Sequence, residues 1–129
     1  FFTNFVLEKN RDELDIKKGG IFPIVHGVRS LALEYRLPQT NTIERIAALS
    51  QRNLFQSSFG TELIEAFTFM STLRTKAGLQ KTERGLPQDN YLNPKALNKL
   101  ERELLRDSFK IVNEFKKFIA YHFKLGMIS

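Results

Sequence analysis

The side chains best suited to binding chemistry in this sequence are His26 and Arg29, which lie three residues apart. Residues at that spacing share one face of a helix, so the two side chains would be displayed together. An arginine can hold a phosphate through a bidentate fork, and a histidine adds a hydrogen bond that strengthens when its ring is protonated. Spacing alone favours the simpler interpretation that both are solvated side chains at the edge of a helical bundle.

Arg74 is a second candidate, because the helical period places it near the middle of an apolar, core-facing stripe. A guanidinium in that position must find an anion. Glu101 has the matching position on the last predicted helix, although a glutamate there also fits the third position of a helix cap. The sequence predicts either an Arg74–Glu101 ion pair, the structural solution that we favour, or an Arg74 that meets a ligand in a cleft.

Asp89 and Asn90 lie in a predicted loop, where such residues ordinarily hydrogen-bond their own backbone. Loops on a rigid scaffold also supply ligand contacts, so the pair is a candidate wall of a cleft. Arg45 lies opposite the apolar arc of its helix and would face water or reach a neighbouring domain. His122 falls inside an apolar stripe, which favours a buried, hydrogen-bonded histidine over a metal ligand, and we predict no metal site.

The sequence lacks the motifs of a phosphoryl-transfer enzyme. It has no glycine-rich phosphate loop, no nucleophile elbow, and no pair of carboxylates at alternate strand positions to hold two magnesium ions. Because phosphoryl transfer needs such a metal clamp, we expect no catalysis by this chain alone.

The composition is typical of one soluble domain. The 129 residues can bury a real core, and the net charge of +6 suits an anionic partner such as a nucleotide, RNA or an acidic protein surface. The aromatic residues are 12 Phe and 3 Tyr with no Trp, which favours core packing and makes nucleic-acid binding an unfavoured interpretation. Without cysteine, a membrane span or a signal segment, we expect a cytoplasmic protein.

Residues 1–20 differ in pattern from the rest of the chain. Two short β-capable pieces at 5–7 and 14–16, closed by Gly19-Gly20, predict a short N-terminal hairpin or extended arm. From Ile21 the apolar period becomes helical and continues to Leu37-Pro38, which predicts the first helix.

Two more helices and a long loop follow. Asn41 begins a capping-box pattern that predicts a short second helix. Ser57 or Ser58 can cap the third helix. The segment 78–93 contains several glycine, proline and Asx residues and is predicted to be a loop, and loops of this length are often functional.

The fourth helix is predicted to be the longest element. Its start signals are Asn93-Pro94 and a capping box at Asn98, and Gly126 is its predicted end. Its predicted apolar stripe comprises Leu97, Leu100, Leu104, Ile111, Phe115, Phe118, Ile119 and Phe123. These elements predict an all-α fold, an antiparallel four-helix bundle with or without a short extra helix, preceded by the N-terminal hairpin or arm.

Several motifs together resemble the family of nucleotidyltransferase substrate-binding domains, over roughly residues 14 to 123. Residues 22–29 match the family motif Phe-Pro-Ile-Val-His-Gly-x-Arg in full. The other matching elements are Thr42-Ile43-Glu44-Arg45, Leu73-Arg74, Gln88-Asp89-Asn90 and Leu100-Glu101-Arg102. The family loop commonly reads Pro-Asp-Asn, whereas Gln88 is inserted here between Pro87 and Asp89.

The resemblance implies a C-terminal helical domain that closes over a polymerase-beta-type nucleotidyltransferase domain and holds the substrate side of the cleft. Residues 1–20 would then be the arm or linker from that upstream domain, and 21–129 the substrate-binding domain. The implied site residues are His26, Arg29, Arg45, Arg74, Asp89 and Asn90. Magnesium and a nucleoside triphosphate are implied for the full-length protein, together with a nucleotide or an acidic protein as acceptor.

The resemblance also implies a signalling context. Family members are similar in layout to the uridylyltransferase that modifies the PII signalling protein, often with CBS pairs and a cyclic-nucleotide-binding domain in front. The chain opens on Phe1-Phe2 without a polar lead-in, so we expect the catalytic part to lie upstream.

Two other functions fit parts of the pattern. A helical protein-interaction or regulatory module would use the basic flanks for electrostatic complementarity and would need no nucleotide. A helical ribonuclease of the toxin type is weaker, because such proteins carry an Arg shortly before a His on a late helix, and Arg106 is too far from His122.

Overall fold

A computed structural model describes residues 13–128, with side chains as far as Lys124. Within this range the chain forms four α-helices and one two-stranded sheet. The helices are α1 (Phe22–Glu34), α2 (Thr42–Gln51), α3 (Ser57–Glu83) and α4 (Lys99–Ile128), and the strands are β1 (Leu14–Asp15) and β2 (Tyr91–Leu92). The predicted all-α class is confirmed. No helix in the described part of the chain combines the length and the apolar character that crossing a membrane requires.

One apolar core joins all four helices. Its fully buried members are mostly aliphatic, and two phenylalanines of α4 are the largest of them. The main contributors are Ile24, Val28 and Leu31 of α1, Ile46 and Leu49 of α2, Leu63 and Met70 of α3, and Leu105, Phe109, Val112 and Phe115 of α4. Burying side chains of this size is the main stabilising term of such a fold, at roughly 1.5–3 kcal/mol each.

The contacts between helices fix their relative directions. Gly27 of α1 lies against Phe115 of α4, and Glu34, at the end of α1, contacts His122 further along α4. The contact later in α1 is also the contact later in α4, so α1 and α4 run in the same direction.

The relation between α3 and α4 is the opposite. Lys76 in the second half of α3 pairs with Glu101 at the start of α4, with Nζ and Oε2 3.3 Å apart. Phe55, just before α3, packs edge-on against Phe118, with ring centroids 5.7 Å apart. These two helices therefore run antiparallel, whereas the antiparallel bundle predicted for all four helices is not confirmed.

The strand predicted near residue 14 is present, but its partner is distant in the sequence. Leu14 pairs with Leu92 and Asp15 with Tyr91 in an antiparallel ladder. The other piece of the predicted hairpin, 5–7, lies outside the described residues. Leu14 and Ile16 have 0% and 1% of their surface exposed, so this segment contributes to the core.

A π-helical turn at Lys17–Ile21 joins β1 to α1 without a break. Gly19-Gly20, predicted to close the arm, lies inside this turn. Gly20 packs closely against α3, because a Cβ at this position would overlap Sδ of Met70 and that side chain would have to shift. A single methyl group would force this part of the core to move.

The predicted cap of α2 is present, whereas the predicted cap of α3 is not. Asn41 accepts a hydrogen bond from the Glu44 N–H at 2.9 Å and caps α2. Neither Ser57 nor Ser58 caps α3, since the residue at the cap is Gln56 and its side chain makes no capping bond. Side-chain caps satisfy orphan N–H groups but are not obligatory where water reaches them.

The predicted loop over 78–93 is partly wrong, because α3 continues through Gly78 to Glu83. One glycine weakens a helix by about 1 kcal/mol, which packing of the helix readily offsets. The helix ends at Glu83, and Gly85, two residues further on, has a φ of 72° that favours glycine.

Of the two predicted start signals for the last helix, only the second begins it, and the first begins a separate turn. Asn93 caps a 3-10 turn at Pro94–Ala96 by accepting from the Lys95 N–H at 2.9 Å. Asn98 and Glu101 then form the reciprocal capping box of α4, with distances of 2.8 and 3.0 Å.

The apolar stripe of α4 was placed correctly only in its second half. Leu100 and Leu104 are 66% and 43% exposed, whereas Leu105 and Phe109 are buried. Leu97 precedes the helix, so a stripe counted from Leu97 assigns the wrong residues of the first half to the buried face. Gly126 does not end α4, which continues to Ile128.

Acid should weaken the cap of α4. The pKa of Glu101 lies below its ordinary value, chiefly because its carboxylate accepts the Asn98 N–H, with a further contribution from Lys76. A lowered folded-state pKa adds stability above the unfolded pKa and loses it as the pH falls. In urea unfolding at pH 6 and pH 3, we expect the Glu101→Gln protein to lose less stability on acidification than the wild type.

Glutamine is a suitable replacement because it can still accept the capping bond but cannot ionise. Glu103→Gln, an exposed change on the same helix, should show the wild-type pH dependence. Equal acid sensitivity of the Glu101→Gln and wild-type proteins would contradict this prediction.

Candidate functional site

The α1 outer face consists of Phe22, His26, Arg29 and Leu33, all of which are exposed. At 100° per residue these side chains lie opposite the buried residues of α1, which centre on Ile24, Val28 and Leu31. The sequence favoured solvated side chains at the edge of the bundle, and both His26 and Arg29 are exposed. It correctly predicted that His26 and Arg29 share one side of the helix.

The fold makes little internal use of the α1 outer face. The rings of Phe22 and His26 stack with centroids 5.5 Å apart and planes 13° from parallel. Arg29 has no hydrogen bond or ion pair to a described residue. A flat ring pair beside an uncommitted guanidinium can contact an anionic or planar group outside the bundle.

Arg74 is exposed, and the predicted ion pair with Glu101 is wrong. Its Nε donates to Oδ1 of Asn90 at 2.7 Å, while Glu101 contacts Lys76 and its own cap. The core side of α3 centres on Leu63, Ala66, Met70 and Leu73. Arg74 lies at the edge of that side, where the chain returns after α3.

The Arg74 pocket is a cavity of about 370 Å³ between α3 and this returning segment. Its lining consists of Arg74, Thr75, Gly78, Leu79, Gln88, Asp89 and Asn90. The structure therefore brings together three of the six predicted site residues, Arg74, Asp89 and Asn90. His26 and Arg29 form a separate group on the α1 outer face.

The wall of the Arg74 pocket is held by hydrogen bonds. The Asn90 carbonyl accepts the Ile16 N–H at 3.0 Å. Oδ1 of Asp89 accepts the Tyr91 N–H at 3.0 Å and forms an ion pair with Lys81. The inserted Gln88 donates to the Thr82 hydroxyl at 2.8 Å and becomes part of the wall.

Arg45 lies apart from both groups. Its side chain is half-buried, and Nε donates to the Gln39 carbonyl at 2.9 Å. This bond fixes the segment between α1 and α2. The Nε group is thus used within the described fold, and a ligand contact by Arg45 stays a prediction.

Sequence reasoning missed a second pocket of about 290 Å³, which is lined by Lys76 and Lys81 of α3 and by Arg84, the residue after it. Lys81 donates to the Tyr91 carbonyl at 2.7 Å in addition to its ion pair with Asp89. The spacing of these basic residues could have indicated a shared helix face. Because the sequence analysis ended α3 at Gly78, it treated Lys81 and Arg84 as loop residues. Lys76 and Lys81 form ion pairs with Glu101 and Asp89, so the residues of this pocket mainly hold α3 to the segments that follow it.

His122 is half-buried and bonded, as its position in the stripe suggests. Its Nε2 lies 2.6 Å from Oε1 of Glu34, and its ring stacks on Phe118 with centroids 5.8 Å apart. Within the described range, no group of three or more His, Cys, Asp or Glu side chains is arranged to hold a metal ion.

Comparison with known proteins identifies the family. The chain matches, over residues 1–123, the family model described as "Putative nucleotidyltransferase substrate binding domain". No match was found among the curated proteins or among the solved structures. Because the match covers nearly the whole sequence, the chain belongs to the nucleotidyltransferase substrate-binding domain family.

Proposed function

We propose that the chain is the helical substrate-binding domain of a signal-transduction nucleotidyltransferase and that it lines the cleft for a nucleotide or an acidic acceptor. The α1 outer face carries this proposal, because it presents a stacked Phe22–His26 pair and an Arg29 that the described fold does not use. Family membership supports the association with a nucleotidyltransferase domain. The net charge of +6 supports an anionic ligand.

Each residue of the α1 outer face has a distinct task in this proposal. Stacking on Phe22 restricts the His26 ring, so the ring reaches a ligand with less loss of rotamer freedom. Arg29 supplies a planar fork of donors for a phosphate or a carboxylate. Carboxylates of the nucleotidyltransferase domain would hold magnesium, and the metal would neutralise the charge of the nucleoside triphosphate. We propose a cytoplasmic setting for the whole protein.

The signalling context belongs to the same proposal and is supported by the motif resemblance. An upstream nucleotidyltransferase domain in the same polypeptide, with CBS or cyclic-nucleotide-binding domains, would place this chain between a sensor and its target. Nucleotide transfer to a protein acceptor is the reaction class that fits such a layout.

Arg29→Ala should lower the affinity for nucleotide or acceptor by about 10- to 100-fold, since a charge-assisted bidentate contact is lost. Affinity would be measured by titration calorimetry on the polypeptide that carries both domains, together with magnesium-dependent nucleotide transfer. The exposed Lys117→Ala change on α4 is the matched control, because it removes one surface cation elsewhere. Wild-type affinity and transfer in the Arg29→Ala protein would remove Arg29 from the site.

A second function is favoured by the apolar part of the same face. Phe22 and Leu33 are 52% and 68% exposed, and exposed apolar groups rimmed by charge are typical of protein-docking surfaces. A helical interaction module would bind a protein partner through this face without a nucleotide. Salt-sensitive association with a protein that Leu33→Ser abolishes, with no nucleotide effect, would favour this alternative.

A further inference from the structure

Three helical or near-helical glycines are explained by close packing. A Cβ added at Gly20, Gly27 or Gly60 would approach a neighbouring side chain more closely than 3.0 Å. Real Cβ atoms do not tolerate that distance without movement of the neighbour. Close packing therefore accounts for glycine at Gly27, which faces the Phe115 ring, and favours it at Gly20 and Gly60, where the Met70 and Ser50 side chains would have to move.

Gly78 has no such explanation. The nearest atom to an added Cβ is Cδ of Gln88 at 3.7 Å, an ordinary van der Waals distance, and Gly78 lies inside α3. Glycine is the least favourable residue other than proline in a helix interior. Packing would thus accept alanine here, and alanine would stabilise the helix. Gly78 lines the Arg74 pocket beside Gln88, so a methyl group here would occupy part of that lining.

Arg74 is held in that pocket through Nε, and its two Nη groups are available as donors. Its Nε is bonded to Asn90, which in turn is fixed by Ile16, so the guanidinium plane is held in place. The two Nη groups have no hydrogen bond to a described residue. An arginine fixed through one nitrogen and free at the other two is prepared to bind an anion bidentately.

The charges around the pocket also suit an anion. Asp89 is the acidic residue of the lining, and its carboxylate is neutralised by Lys81. Thr75 adds a hydroxyl that can donate to an oxyanion. A volume of about 370 Å³ lies within the ordinary range for small-ligand sites.

We propose that the Arg74 pocket binds a phosphate group of the nucleotide, with the Nη donors of Arg74 as its ligands and Gly78 providing the space. The identity of the ligand as a nucleotide rests on the proposed function. The phosphate chemistry rests on the pocket itself, which lies apart from the α1 outer face.

The test measures binding of tripolyphosphate and of the four ribonucleoside triphosphates to the 129-residue chain by titration calorimetry. Arg74→Gln removes the free donors and should weaken tripolyphosphate binding at least tenfold. Asn90→Asp keeps the acceptor for Nε but adds a competing carboxylate, and it should weaken binding similarly. Arg84→Gln, an exposed arginine of the second pocket, should leave binding unchanged.

Gly78→Ala separates binding from folding. Its midpoint of thermal unfolding should rise by about 2–5 °C, since alanine favours the helix, while tripolyphosphate affinity falls several-fold. A rise in the midpoint with wild-type affinity would overturn the role of Gly78. Wild-type affinity in the Arg74→Gln protein, or no tripolyphosphate binding by the wild type, would overturn the proposal.

Two outcomes distinguish this inference from the proposed function. Loss of transfer in the Arg29→Ala protein, with wild-type tripolyphosphate affinity in the Arg74→Gln chain, overturns the inference and leaves the function standing. The other outcome is tripolyphosphate binding that depends on Arg74 while none of the four nucleotides binds more tightly than tripolyphosphate. That result overturns the nucleotide as the source of the phosphate, independently of any result for the α1 outer face.

Discussion

Replacing Phe115 with alanine is expected to lower the free energy of unfolding by about 4 kcal/mol, because the change removes a large buried ring and leaves a cavity. Phe115 has none of its surface exposed and is one of the two largest side chains of the core. Its ring stacks with Phe118 at a centroid distance of 6.4 Å and lies against Gly27. It therefore joins α1 to α4 at the level where the α1 outer face is presented.

Urea unfolding at 25 °C, followed by circular dichroism, would measure this loss. The control is Tyr121→Ala, because Tyr121 is an aromatic residue of the same helix that is 66% exposed, and surface changes of that kind cost about 0.5 kcal/mol or less. A loss below 1 kcal/mol for Phe115→Ala would show that this contact does not hold the core.

The contact with Gly27 makes the same prediction more specific. A Cβ at Gly27 would lie 2.6 Å from Cε2 of Phe115, so Gly27→Ala should destabilise the chain by about 1–3 kcal/mol despite the better helix propensity of alanine. Phe115→Leu shortens the side chain that would clash. Residues in contact couple energetically, so the penalty of Gly27→Ala should shrink in the Phe115→Leu background.

Leu14→Ala is expected to cost about 3 kcal/mol, as a buried leucine truncation does. Leu14 is fully buried and pairs with Leu92, which is 6% exposed. The sequence analysis predicts an arm or a linker between domains for residues 1–20. A linker has no buried side chain, so truncating one of its residues would not destabilise the fold. The measurement thus decides whether the folded domain begins at residue 21 or includes the segment around Leu14.

Lys17→Ala is the matched change, because Lys17 is exposed a few residues later in the same segment. It should leave the free energy of unfolding within about 0.5 kcal/mol of the wild type. If Leu14→Ala behaves in the same way, the linker interpretation stands and the burial of Leu14 contributes little.

The sequence predicted best what depends on a few neighbouring residues. The caps at Asn41 and Asn98 were located correctly, because each needs only one side chain and a backbone N–H three residues away. Gly78 was misjudged as a helix end because propensity is a weak term against the packing of a long helix. The strand at Leu14 was recognised, but its pairing with Leu92 was not, since no local pattern specifies a distant partner.

The candidate site shows the same division. That His26 and Arg29 share a face follows from helical spacing, and the structure agrees. The partner of Arg74 did not follow, because the helical period placed Arg74 near the middle of the stripe, whereas the structure places it at the edge, facing the returning segment. The fold decided this by returning Asn90 to α3, which in turn required the long-range strand pair.

That strand pair also governs when the Arg74 pocket exists. The Ile16 N–H bond to the Asn90 carbonyl closes a long loop that contains α1, α2 and α3, and the entropic cost of such closure must be met before the contact gains anything. We therefore expect it to form after the helices have docked. Until it forms, Asn90 does not hold the Arg74 guanidinium, so the proposed anion site would be complete only once the strand pair is in place.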